Sequence, residues 1–243
     1  MKYSQEFVVR WHDTDRHLIA TPSAVLTYMQ ETANTQCEDV GPSLARMRDV
    51  DMCGFVVSKL FLRVHKPLFA NDRITVNTFV SEPRGFRFYR GFEIFRNGEM
   101  VANAVSLWAL LDLNTHTLLR GDRVRFGITP EPMPDMGLPT HFRFPEPIKD
   151  CAHDYTVPYF DTDYNGHINN THYPNLLCGF LPDFAEKTLS TLTLCYVSEA
   201  RMGETLHAVT SCAEENGETA HYVRTVRADG KTNAEARVTL MSF

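Results

Sequence analysis

The chain has 243 residues, enough for one large domain or two small ones. A hydrophobic share of 43% with 22% charged residues describes a globular protein with a substantial core. The formal net charge of -6 argues against a general nucleic-acid or membrane-surface binder, since both need a basic footprint, and no stretch approaches the roughly 18 apolar residues of a transmembrane helix.

The start, Met1 to Glu6, lacks the charged and apolar regions of a signal peptide, so a cytoplasmic protein is expected. A short strand, Glu6–Trp11, leads into the turn Asp13-Thr14-Asp15. Thr21 is placed to cap a helix with Pro22 at its first position, and Val25, Tyr28, Met29, Thr32 and Ala33 follow at helical spacing. Strand chemistry then takes over, at Val56–Val64, Arg73–Ser81, Phe86–Arg96 and Glu99–Leu111, with Asn97-Gly98 as a hairpin turn between the last two. Thr129 to Pro147 holds six of the 13 prolines and reads as an extended surface linker.

Beyond it the order recurs. A strand at Tyr155–Phe160 precedes a second Asp-Thr-Asp turn. Asn169, Asn170 or Thr171 can cap a helix carrying Tyr173, Leu176, Leu177 and Phe180, which Pro182 breaks. Strands follow at Thr191–Tyr196, Thr205–Glu214, Thr219–Arg227 and Thr232–Met241, the last two joined at Asp229-Gly230. The recurrence is visible residue by residue. Val9–Asp15 is echoed by Val157–Asp163 at an offset of 148, while Leu62–Asp72 matches Leu194–Glu204 and Asn97–Glu99 matches Asp229–Lys231 at an offset of 132. Three matches in one order mean two copies of one module. The expected organisation is a first module over 1–128, a proline-rich linker over 129–150 and a second module over 151–243.

One long helix followed by an antiparallel meander is an α+β arrangement, and a sheet wrapped around a single helix is the hot-dog layout. With no second helical crossover between the strands, nothing supports a parallel sheet. The expected fold is thus two tandem hot-dog modules. The six cysteines are scattered without a Cys-x-x-Cys pair, which points to reduced thiols rather than a disulfide framework or a zinc site.

The densest polar cluster is Asp161 to Asn170. Asp163, Asn165 and His167 occupy alternate positions, so in an extended segment they would point the same way, and Gly166 gives the backbone room to turn. The following helix start would add N–H groups able to hold an oxyanion. An equally weighted reading is a polar loop whose Asp and Asn bond to their own backbone. In the first copy the same positions carry Asp15, His17 and Ile19, so the turn is duplicated and the reactive set is present once. Glu199 stands where the first copy has Pro67; it can activate water or be an exposed strand-end charge.

These residues resemble the acyl-ACP thioesterases. The family's Asp-x-Asn-x-His-x-Asn-Asn motif is matched by Asp163, Asn165, His167, Asn169 and Asn170, with Tyr173 following, and its Tyr-x-x-Glu by Tyr196 to Glu199. In the first half, Ser106-x-Trp108, Leu113-Asn114-x-x-Thr117 and Arg120 are similar too. Plant members often carry cysteine directly after the glutamate; Ala200 here excludes a cysteine nucleophile at that position, and the absence of an obvious plastid transit peptide suggests a bacterial form.

The resemblance implies hydrolysis of a fatty acyl-ACP to free acid and carrier, with Glu199 and His167 activating water. Asn165, His167 or a backbone N–H would stabilise the oxyanion, with Asp163 orienting its neighbours. It implies no metal and no organic cofactor. The acyl chain would lie in the first module, where Val25, Leu26, Met29 and Phe55 are candidate walls, although each is also an ordinary core residue and that reading weighs more. The partner implied is an acyl carrier protein, steered by Arg120, Arg123 and Arg125 or by Arg84, Arg87 and Arg90, with solvated arginines as the plain alternative. A homodimer is compatible with modules that pair. The rival readings are an acyl-CoA thioesterase of the same fold, a hot-dog hydratase or dehydratase, and a non-catalytic acyl-binding module.

Overall fold

The computed structural model describes residues 2–121, 127–146, 149–150 and 154–243. Arg123, Arg125, Pro147 and Cys151 lie outside the described residues.

The first module opens with β1 (Tyr3–Val8), followed by α1 (Pro22–Val40) and a short α2 (Leu44–Asp49) that the sequence reading lacked. Its meander is β2 (Cys53–Val64), β3 (Arg73–Val80), β4 (Phe88–Arg96) and β5 (Glu99–Asp112), with a two-residue β6 (Leu118–Leu119) on the end of β5. After β7 (Lys149–Asp150), the second module runs β8 (Tyr155–Thr156), α3 (Tyr173–Cys178), β9 (Thr188–Tyr196), β10 (Thr205–Glu215), β11 (Glu218–Arg227) and β12 (Thr232–Met241).

All twelve strands form one antiparallel sheet in the order β1-β3-β4-β5-β2-β9-β12-β11-β10-β7, with β8 also on β10. The order reads as one module followed by its mirror. The seam is β2 against β9, paired from Lys59–Cys195 to Arg63–Thr191. Each module leaves one strand edge there, and pairing the two removes both exposed edges.

Backbone bonds repeat at the two sequence offsets. Val9 N–H donates to Asp72 O at 2.9 Å and Val157 N–H to Glu204 O at 2.9 Å; Ala20 N–H reaches Leu68 O at 2.7 Å and Ile168 N–H reaches Ala200 O at 2.9 Å. The 16 extra residues of the first copy fall between these anchors, in the helical region and the start of β2.

α1 begins as expected. Thr21 Oγ1 accepts from Ala24 N–H at 3.2 Å, Pro22 opens the first turn, and Gly41 closes the helix with φ 68°. Its inner face, including Val25, Tyr28, Met29, Thr32 and Ala33, is buried in a core continuous across both modules. The long helix expected in the second module is only six residues. Leu181 takes the extended conformation that a residue before proline prefers, and a 3₁₀ turn, Pro182–Ala185, replaces further α-helix. The N-termini of α1 and α3 satisfy each other: Ser23 N–H donates to Asn175 Oδ1 at 2.9 Å, and Asn175 N–H to Ser23 Oγ at 3.0 Å.

The linker crosses the outer face of the sheet. Arg63 donates to Met136 O at 3.0 Å, Lys59 to Thr140 O at 2.6 Å, and the Arg224 guanidinium sits 4.5 Å from the Phe144 ring centroid.

Gly91 on β4 faces Phe79 on β3, and a Cβ there would stand 2.5 Å from two ring carbons of that buried side chain. Gly91→Ala must push the ring into close-packed neighbours. A destabilisation of about 1–3 kcal/mol is expected, measured by denaturant unfolding; an unchanged midpoint would show that the ring has room to move.

Candidate active site

The segment Asp161–Asn170 is a tight loop rather than an extended strand. Asp163 N–H donates to His167 O at 2.9 Å and Gly166 N–H to Asp163 O at 2.9 Å, with Gly166 at φ 80°. Asp163, Asn165 and His167 are therefore gathered by a turn, not by strand alternation. The first module builds the same loop: Asp15 N–H bonds Ile19 O at 2.8 Å, and Leu18 takes the left-handed position at φ 61°.

Asp163 has a structural task in this loop. Its Oδ1 accepts the Asn165 amide N–H at 2.8 Å, as Asp15 Oδ1 accepts that of His17 at 2.8 Å, and its Oδ2 accepts Asn165 Nδ2 at 3.3 Å. It reaches His167 through the backbone only. His167 Nε2 pairs instead with Glu199 Oε2 at 2.9 Å. The His167 side chain is 23% exposed and that of Glu199 62%, so the pair is open to water on the carboxylate side. The four residues thus form two pairs, Asp163 with Asn165 and His167 with Glu199, tied through the loop backbone.

The first module has no such pair. Ile19 replaces His167 and is 3% exposed, Pro67 replaces Glu199, and His17 stacks on Phe243 at 4.3 Å between ring centroids.

Glu199 is held by residues that the sequence reading missed. Arg227 donates to Glu199 O at 3.1 Å and to Glu204 Oε1 at 3.2 Å. Asn233, fully buried, accepts Val197 and Ser198 N–H on its carbonyl at 2.9 and 3.0 Å. Its side-chain amide donates to Ser198 O at 2.5 Å and to Tyr173 Oη at 3.0 Å, and its Oδ1 accepts from Thr225 Oγ1 at 3.0 Å. Burial pushes the Tyr173 phenol up to about 12, so it serves as a neutral hydrogen-bonding group.

At the helix start, two N–H groups are already engaged, Thr171 N–H by Asn169 Oδ1 at 3.0 Å and His172 N–H by Asn169 O at 2.9 Å; α3 itself begins at Tyr173. Of the two Asn165 side-chain N–H groups one is bonded to Asp163.

A cavity of about 350 Å³ lies in the first module between α1 and the sheet and reaches Asn170 and Tyr196 of the second. Tyr196 Oη donates to Asn170 O at 3.0 Å, which ties this end to the segment just after His167. Leu26 and Phe55 line the cavity, but Val25 and Met29 do not; they pack in the core, 4% and 0% exposed. Arg90, expected as one of a surface group, also lines the cavity, whereas Arg84, Arg87 and Arg120 are exposed. Among the described residues no group of His, Cys, Asp and Glu is arranged to hold a metal ion, and no helix is long and apolar enough to cross a membrane.

Comparison with known proteins places both halves. Residues 1–121 match the family model of the acyl-ACP thioesterase N-terminal domain, and residues 146–241 that of the C-terminal domain. A chloroplastic acyl-[acyl-carrier-protein] hydrolase of Cuphea viscosissima is 27% identical over 226 residues, 87% of this chain and 55% of the relative. A chloroplastic oleoyl-acyl carrier protein thioesterase of Arabidopsis thaliana is 23% identical over 88% of this chain and 64% of its own length. The chain thus spans just over half the length of the first of these curated relatives. Among solved structures, an acyl-ACP thioesterase from Bacteroides thetaiotaomicron superposes with a TM-score of 0.80 at 21% identity, covering 99% of this chain and 98% of the other. The 12:0-ACP thioesterase from Umbellularia californica gives 0.81 at 18% identity, covering 100% and 94%. At these identities the superpositions establish the double hot-dog fold.

Proposed function

The chain belongs to the acyl-ACP thioesterase family, and on that premise we propose that it hydrolyses fatty acyl-ACP to free fatty acid and holo-ACP at the loop of its second module. The observation that carries this reading is the His167–Glu199 pair at 2.9 Å, present in one half only, with Asn170 and Tyr196 from the same module lining one end of the cavity.

In this reading Glu199 takes a proton from a water while the water oxygen bonds to the thioester carbon, and His167 keeps the carboxylate oriented. The Asn165 side-chain N–H not bonded to Asp163 donates to the carbonyl oxygen as negative charge develops there, and Asp163 holds Asn165 in place through its backbone N–H and its other side-chain N–H. Collapse breaks the C–S bond, and the carrier thiol leaves with the proton that Glu199 had taken. No cysteine is assigned to the chemistry: Ala200 follows Glu199, and burial pushes the Cys195 thiol up, away from the reactive thiolate.

The acidic carrier is taken to approach over the exposed Arg84, Arg87 and Arg120, the last stacked 5.8 Å from the Phe86 ring centroid. The free thiols of Cys37, Cys53, Cys178, Cys195 and Cys212 accord with a reducing, cytoplasmic setting.

The test is free-thiol release from acyl-ACP and acyl-CoA bearing the same acyl group. Faster release from acyl-ACP is expected. Preference for acyl-CoA would keep the chemistry and change the carrier, and no release from any thioester by folded protein would overturn the proposal.

A further inference from the structure

A cavity that takes an unsubstituted alkyl chain is best lined by apolar groups alone, because burying a polar group without a partner costs free energy. This one has Leu26, Phe55, Leu60 and Phe92 on its walls, but it also holds the Arg90 guanidinium. Arg90 Nη1 donates to Gln36 Oε1 at 2.5 Å and to Thr78 Oγ1 at 3.1 Å, and Nη2 lies 3.7 Å from Cys37 Sγ. None of these partners carries charge. Burial pushes the Cys37 thiol up, so it stays a neutral thiol, and among the described residues no carboxylate pairs with Arg90.

A guanidinium has five N–H donors, and these contacts engage three. Gln30 and Asn34, one helical turn apart on α1, line the same cavity as Arg90. Arg90 is also far from the seam. Tyr196, which lines the end of the cavity nearest the loop, belongs to β9, and Arg90 belongs to β4, with β2 and β5 between them. Three strand spacings put the two about 14 Å apart across the sheet.

We propose that the cavity accepts an acyl chain bearing an oxygen substituent (hydroxyl, oxo or terminal carboxylate) towards its far end, and that Arg90 is the specificity-determining residue that binds this oxygen. The inference rests on the reading that the cavity receives the acyl chain. A plain alkyl chain of the same length covers the guanidinium without replacing the hydrogen bonds it gives to water. An oxygenated chain supplies the missing acceptor, and a site built to bond a substrate oxygen discriminates strongly against the analogue lacking it.

The experiment measures calorimetric binding of fatty acids to the full chain, comparing unsubstituted acids with ω-hydroxy acids of equal length across a graded series. Thiol release from the matching acyl-ACPs is followed in parallel. The expected result is at least ten-fold tighter binding of the hydroxylated acid at the length that reaches Arg90, a preference that Arg90→Met abolishes and Arg90→Lys weakens. Equal or tighter binding of the unsubstituted acid at every length overturns the inference. That comparison is made on the wild type, so it stands even if Arg90→Met fails to fold. Turnover of plain acyl-ACP without discrimination removes this inference and leaves the hydrolase intact; discrimination in binding without turnover of any thioester does the reverse.

Discussion

Replacing His167 by alanine, or Glu199 by glutamine, is expected to lower kcat for acyl-ACP hydrolysis by roughly 10²–10⁴-fold, the range that positioned proton transfer contributes. KM should change little if, as proposed, the cavity walls rather than this pair bind the acyl chain, since neither residue lines the cavity. Stability should change little as well. Glu199 is 62% exposed, and an ion pair open to solvent on one side contributes at most about 1 kcal/mol. Glutamine keeps the shape and the hydrogen bond to His167 but cannot take the proton of water, so it separates chemistry from geometry. Thiol-release kinetics and a thermal melt of each variant supply both readouts. Undiminished kcat in both would move the chemistry elsewhere in the molecule.

The second large effect is expected at a residue that touches no substrate. Asn233 is the extra residue of a β-bulge: Thr225 pairs with Ala234 and Val226 with Thr232, leaving Asn233 out of the ladder. The bulge turns its side chain inward, where it bonds Ser198 O, Tyr173 Oη and Thr225 Oγ1 next to Glu199. Asn233→Ala takes a partner from two buried groups, Tyr173 Oη and Thr225 Oγ1, and from the part-buried Ser198 O. At about 1–3 kcal/mol for each group left unsatisfied, partly offset by relaxation, a loss of roughly 2–4 kcal/mol is expected. For a chain of this size that lowers Tm by about 5–15 °C.

Assayed well below its own Tm, the Asn233→Ala variant should still show a kcat depressed ten-fold or more, because the strand end carrying Glu199 is no longer fixed. Val101 occupies the matching bulge of the first module, where its carbonyl accepts His65 and Lys66 N–H at 2.8 and 3.2 Å. Val101→Ala should cost stability by cavity formation and leave kcat unchanged. Equal kcat for wild type and Asn233→Ala would reduce Asn233 to a stability residue.

The comparison of these two bulges shows what the sequence did and did not disclose. The module repeat, the α1 start at Thr21 and Pro22, and the eight long strands were legible because turn chemistry and period-two burial leave local marks. So was the half of the molecule in which His167 and Glu199 reside, because Ile19 and Pro67 stand at the equivalent positions of the other half.

Asn233 was not legible. A bulge adds one residue to the strand and breaks the alternation by which inward positions are read, so Asn233 and Ala234 are both fully buried. The signal that would have found it is the repeat itself, since Val101 becomes Asn at the offset that also carries Pro67 to Glu199. Helix length in the second module was misjudged for another reason: the apolar spacing to Phe180 runs on past Gly179, while the backbone leaves the helix before Pro182. The inward placement of Arg90 had no local mark at all, because a strand arginine reads as solvent-facing until the sheet curls over the cavity.

His167 and Glu199, 2.9 Å apart, are expected to act as one unit. Thiol release from acyl-ACP by wild type, His167→Ala, Glu199→Gln and the double variant tests it in a single cycle. If the two residues form one device for activating water, the double variant is no slower than the slower single variant, since the first substitution already disables the pair. Losses that multiply, with each variant folded, would mean that the residues act independently and would contradict the shared mechanism proposed for them.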